Sequence, residues 1–159
     1  MQPIGGIMAD RVLVVTGSAG DWGVMDHCST TLDTLGISHR KIVASAHRQP
    51  DKLEAAMNDF VSQGGQVFIC AAGMAAHLAG VVASKTTLPV LAVPLSGGAM
   101  DGLDSLLSMV QMPRGVPVGT LAIGKHGAIN AAILSGQILA LADPDLAERL
   151  RAYKESLAA

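Results

Sequence analysis

The chain has 159 residues, half of them hydrophobic and 15% charged, with a formal net charge of −2. That supports a single domain over 1–159 with a sizeable core, and the lack of any Lys/Arg run removes the footprint of a nucleic-acid binder. Aromatic residues are only 3%, so the core must come from Ala, Val, Leu, Ile and Met, and a flavin would find little to stack on.

Residues 1–9 read as a flexible leader, without the basic start and apolar stretch of a signal peptide. "RVLVVT" (11–16) is the first predicted strand. "TGSAGDW" (16–22) follows it and opens a helix carrying Trp22, Met25, Leu32 and Leu35, closed by Gly36. Backbone N–H groups at such a helix start attract phosphate. Ser18 adds a hydroxyl, and Asp21 suits ribose hydroxyls; either residue equally suits a simple helix cap. The spacing G-x-x-G-x-x-G is not a dinucleotide fingerprint, and Thr16 stands where a nucleophile elbow needs glycine. No acidic cluster ends the strand, as a phosphoacceptor receiver would require.

"HRKIVA" (39–44) is the second strand, and "SAHRQPD" (45–51) follows it. Arg48 offers the planar fork that matches phosphate. His47 is the residue type that moves a proton near neutral pH. The plainer reading is a solvated turn before a helix that opens at Pro50, carries Leu53, Met57, Phe60 and Val61, and closes at Gly64-Gly65. "QVFICA" (66–71) is the third strand and "AAHLAGVVASK" (75–85) the third helix. The nearly apolar run 67–83 contains Gly73 and His77 and falls short of the ~20 residues of a membrane helix. A lone histidine such as His77 is usually a satisfied core residue, but it falls at the same strand-end edge as His47. Cys28 and Cys70 have no metal-ligand spacing and imply no disulfide framework, which fits a reducing cytoplasm. The five histidines show no HxxxH or HxH spacing, so no metal site is expected.

"LPVLAV" (88–93) is the fourth strand, followed by the glycine-rich "PLSGGAMDG"; "DGLDSLLSMVQ" (101–111) is the fourth helix, and "PVGTLA" (117–122) the fifth strand. "GTLAIGKH" (119–126) nearly matches a P-loop, but His126 replaces the hydroxyl residue and the intervening residues are apolar, so ATP is excluded there. "HGAINAAILSGQILAL" (126–141) is the fifth helix. Its stripe of Ala128, Ala132, Gly136 and Ala140 suits close packing, either against the sheet or between subunits. "DPDLAERLRAYKESL" (143–157) is the sixth helix, with Asp143 as N-cap and Pro144 at the first helical position.

Strand–helix alternation predicts a parallel sheet with helices on both faces, its strands apolar on both sides. Ligands of such sheets bind beyond the carboxyl ends of the strands, which points to "GSAGDW", "SAHRQP", "AGMAAH" and "PLSGGAMDG".

Together these segments resemble the PurE family of purine biosynthesis, in its class I, N5-carboxyaminoimidazole ribonucleotide mutase branch, over roughly residues 10–155. The pattern S-A-H-R-x-P-D is met in full by Ser45 to Asp51. L-D-S-L-L-S-x-V-Q-M-P is met by residues 103–113, and G-T-L-A-I-G-x-x-G-A-x-N-A-A by residues 119–132. G-S-x-S-D-W is met by Gly17, Ser18, Asp21 and Trp22, and G-G-A-A-H-L-P-G in part by "GMAAHLAG".

The resemblance implies a flavodoxin-like three-layer αβα sandwich with a C-terminal helical extension, a homo-octamer, and no metal or organic cofactor. It implies that Ser18, Asp21 and Arg48 contact a ribonucleotide, with Ser45 near the phosphate and His47 as the proton-transfer residue. Gly73, Ala75 and His77 join the expected substrate wall. The expected reaction converts a carbamate ribotide to its C4 carboxylate; the alternatives are carboxylation of the unmodified aminoimidazole ribotide, or a PurE-like paralogue or non-catalytic nucleotide-binding module. Gly20, Met74, Ala79 and the "LSGG" stretch (95–98) depart from the family pattern, all in predicted site loops.

Overall fold

The computed structural model describes residues 9–158; the expected leader lies outside them except for Ala9. Five parallel strands are laid down in chain order: β1 (Val12–Thr16), β2 (His39–Val43), β3 (Val67–Gly73), β4 (Val90–Leu95) and β5 (Gly119–Thr120). They are arranged β2-β1-β3-β4-β5. Six helices alternate with and then follow them: α1 (Trp22–Thr34), α2 (Pro50–Ser62), α3 (Leu78–Ala83), α4 (Leu103–Val110), α5 (Lys125–Ala140) and α6 (Pro144–Ser156). This is the flavodoxin-like sandwich, with α6 as the C-terminal extension.

Side-chain alternation along the strands splits the core in two. Val12 and Val14 of β1 and Ile69 and Ala71 of β3 face α1, α5 and α6, with Met25, Leu32, Ala128, Ala132 and Leu146. Leu13, Val15, Phe68 and Cys70 face the other way, onto Leu53, Met57, Phe60, Val82 and Met109. β1 and β4 are buried along their whole length.

Two expectations about the strands need correction. β2 is not apolar on both sides: it is an edge strand, and its His39, Arg40 and Lys41 lie at the surface or half-buried. The fifth strand covers only Gly119 and Thr120 of the predicted 117–122, because it pairs with β4 only at Leu91 and Ala92. The chain then leaves the ladder, although Leu121 N–H still donates to Ala92 O and Gly124 N–H to Pro94 O.

The small-residue stripe of α5 is used inside the chain. Ala128, Ala132 and Gly136 are buried, and a side chain at Gly136 would press on Leu35, Ile37 and Leu150. At the start of α5, Gly127 sits so close to the preceding loop that a Cβ would lie 1.6 Å from Ala122 O. Only glycine allows that approach, which accounts for one fixed point of the long 119–132 motif.

Candidate active site

In sheets of this strand order the crevice opens where the chain reverses direction, between β1 and β3. The cleft there, about 550 Å³, is walled by the residues that follow four strands: Gly17, Ser18 and Asp21 after β1, Ser45 to Arg48 after β2, Gly73 to Ala75 and His77 after β3, and Ser96 and Gly97 after β4. Every residue expected at the site therefore lines one cavity. A second, shallower groove of about 610 Å³ beside Met57 and Lys85 is larger, but holds none of these groups.

The wall after β1 is built by a 3₁₀ turn at Ala19–Asp21. The Asp21 carboxylate accepts the Ser18 N–H at 2.9 Å through one oxygen. Capping and ligand contact are thus compatible: one oxygen holds the turn and the residue still faces the cleft. Gly20 is exposed and is not on the cleft wall. A Cβ there would meet only Ser18 Oγ, at 3.8 Å, so the glycine answers to no crowding.

After β2 the chain turns at Ser45, which is buried. Its Oγ accepts the Arg48 backbone N–H at 3.3 Å and the Arg48 Nε–H at 3.5 Å. Arg48 also reaches across to the first loop, donating from Nη2 to Gly17 O at 3.4 Å. Both side-chain contacts are at the long limit of a hydrogen bond, so the guanidinium spans the two loops without being locked to either.

His47 Nε2 lies 2.9 Å from His77 Nδ1, with the rings perpendicular at 85°. His77 is exposed, not a core residue. One ring must donate and the other accept, which two imidazolium ions could not do. The contact therefore joins one ring nitrogen that bears hydrogen to one that does not, and the tautomer decides which ring is the donor. The common strand edge is the one signal the sequence carries for this partnership between residues thirty positions apart.

The wall residues beyond the expected contacts include Met74, Ser96 and Gly97. The β4 loop that carries the last two is anchored by Ser105, a buried residue whose Oγ lies 2.8 Å from Leu95 O and 2.9 Å from Gly102 O. A Cβ on Gly98 would fall 2.0 Å from Asp104 Oδ2, so a side chain there would have to displace the Asp104 carboxylate. Ala79, by contrast, is fully buried in α3 and does not line the cleft. Of the four departures, then, Met74 and the 95–98 stretch alter the wall, while Gly20 and Ala79 do not touch it.

Burial pushes the Cys28 thiol up to about 12 and raises Cys70 further still. Both are protonated at neutral pH and sit in the core as small apolar groups.

Residues 11–159 match the family model described as AIR carboxylase. The chain belongs to this family. Among the curated relatives of this AIR carboxylase family member, the N5-carboxyaminoimidazole ribonucleotide mutase of Escherichia coli (strain K12) is 50% identical over 146 residues, 92% of this chain and 86% of that protein. The enzyme of the same name from Bacillus subtilis (strain 168) is 47% identical over 156 residues, 98% of this chain and 92% of that protein. The crystal structure of Treponema denticola PurE superposes with a TM-score of 0.85 at 26% identity, covering 92% of this chain and 90% of that one.

Proposed function

We propose that this family member is an N5-carboxyaminoimidazole ribonucleotide mutase, moving a carboxylate from the exocyclic nitrogen of an aminoimidazole ribotide to ring carbon C4. The observation that carries the reading is the placement of His47 and Arg48, a proton carrier and an anion receptor, side by side on one loop of the cleft. Near-50% identity to curated mutases over almost the whole chain supports the same reaction.

Arg48, with Ser18 and Ser45 beside it, holds the 5′-phosphate, and Asp21 meets the ribose. A protonated His47 gives its proton to the carbamate nitrogen. The N–C bond breaks, its electron pair stays on nitrogen, and carbon dioxide is released beside the ring. The electron-rich C4 then attacks the carbon of that carbon dioxide. His47, now neutral, removes the C4 proton and returns to its starting state, so one imidazole serves both transfers. His77 holds the His47 ring in position. Gly73 and Ala75 leave room for the imidazole ring, and enclosure of the two fragments supplies the entropic part of the rate.

The chain acts as one domain in the cytoplasm and as a homo-octamer. The outer face of α4 supports self-association: Leu103, Leu107 and Val110 recur at helical spacing and are 44–50% exposed, with Met100 beside them at 54%. No helix among the described residues is long and apolar enough to cross a membrane.

Steady-state assay tests the reading. Saturable turnover of the carbamate ribotide without added bicarbonate is expected; turnover only of aminoimidazole ribotide with bicarbonate assigns the carboxylase reaction instead. His47→Asn should lower kcat by about 10²–10⁴-fold, the usual worth of general acid–base catalysis, with the assembly unchanged by light scattering. A near-parent rate removes His47 from the mechanism.

A further inference from the structure

Met74 stands immediately after β3, at the head of the crevice, with φ at 59°. Among the described residues only Asp101 shares a positive φ outside glycine. The left-handed region is disfavoured for a residue with a Cβ, and the family pattern carries glycine at this position. Such a conformation persists only where the surroundings hold it. Here the chain turns tightly: Ala76 N–H donates to Met74 O and His77 N–H to Ala75 O, each at 2.9 Å. The turn that fixes Met74 is thus the turn that delivers His77 to His47.

The other apolar groups on the wall are short or withdrawn. Ala46, Ala72 and Ala75 carry one carbon each, and Leu78 is 3% exposed. Met74 is 63% exposed, so among the described residues it is the one long apolar side chain the cleft wall presents. A thioether on an unbranched chain adapts to irregular apolar space.

We propose that Met74 is a retention residue for this reaction: its side chain covers the cleft beside the reacting ring and keeps the released carbon dioxide from escaping before it adds to C4. This rests on the mutase reading above. The released molecule is small, uncharged and bound by no ionic contact, so only a physical barrier delays its exit. An apolar cover also excludes water from the reacting atoms. In this chain the glycine-to-methionine departure is therefore a gain of enclosure in the same cleft, and the strained backbone is its structural cost.

The test follows the label. Carbamate ribotide carrying ¹³C in its carboxylate is turned over in unlabelled bicarbonate with carbonic anhydrase present, and label retained in the C4 product is measured after correction for spontaneous loss. The parent should retain label. Met74→Gly and Met74→Asn should each release several-fold more label and free aminoimidazole ribotide per turnover. Asparagine tolerates the left-handed conformation, so it removes the apolar chain without freeing the backbone. Parent-like retention in both variants overturns the proposal. Loss in Met74→Gly alone also overturns it, since backbone freedom and not the side chain would then be responsible. A parent with no turnover of the carbamate ribotide overturns the mutase reading and this inference together, whereas an active parent with unaltered variants overturns only the role of Met74.

Discussion

Arg48 shows how a binding residue can be poised without being spent. Its guanidinium rests on Ser45 Oγ and Gly17 O at 3.5 and 3.4 Å, contacts long enough to yield to a phosphate. A fork matched to phosphate oxygens gives stronger, charge-assisted bonds. A hydrogen bond to a charged group is worth about 1.5–3 kcal/mol, which at about 1.4 kcal/mol per tenfold is roughly 10- to 150-fold in affinity. Arg48→Ala should weaken the ribotide by that factor in a calorimetric titration and leave the unphosphorylated nucleoside nearly unaffected; equal losses for both would reassign Arg48 to holding the loops together. At this scale the sequence was legible where chemistry and spacing coincide, as in Ser45 to Arg48. It marked Met74 only as a departure from a family glycine and not as a residue of positive φ, which leaves no trace on a methionine. It put His47 and His77 at one strand edge without their contact, which depends on where two strands end.

α6 was readable almost to the residue, since its start carries its own signal. Asp143 accepts the Leu146 N–H at 3.0 Å, Pro144 follows, and the other carboxylate oxygen accepts from Arg11 Nη1 at 2.6 Å. These bonds, the Leu146 N–H first and the Arg11 guanidinium second, hold the Asp143 carboxyl below its ordinary value of 3.8. A carboxyl lowered on folding adds stability that is complete above its unfolded value and is lost as pH falls through the folded one. Asp143→Asn should therefore melt lower than the parent near neutral pH, with the two melting curves converging as pH drops below the carboxylate range. A gap that stays constant with pH would show that charge at Asp143 is irrelevant. The fifth strand was far less legible: "PVGTLA" has a good strand composition, yet its extent is set by how much of β4 is left to pair with, which composition does not encode.

For the whole molecule, the outer face of α4 carries the prediction. Leu107→Asp places a charge in the middle of its exposed apolar row, at a residue 44% exposed. The variant should fold with parent-like circular dichroism but sediment as smaller species than the parent at micromolar concentration. An unchanged assembly would move the subunit interface elsewhere. The two borders of the sheet point the same way. On the β2 side, Arg40 pairs with Asp59 at 2.7 Å and Lys41 with Asp26 at 3.0 Å; on the other, β5 is two residues long. Charged or very short edge strands resist pairing with another chain. The described borders of the sheet therefore offer a poor template for strand addition by a second chain. Any contact between copies is thereby steered to helix faces such as the outer row of α4.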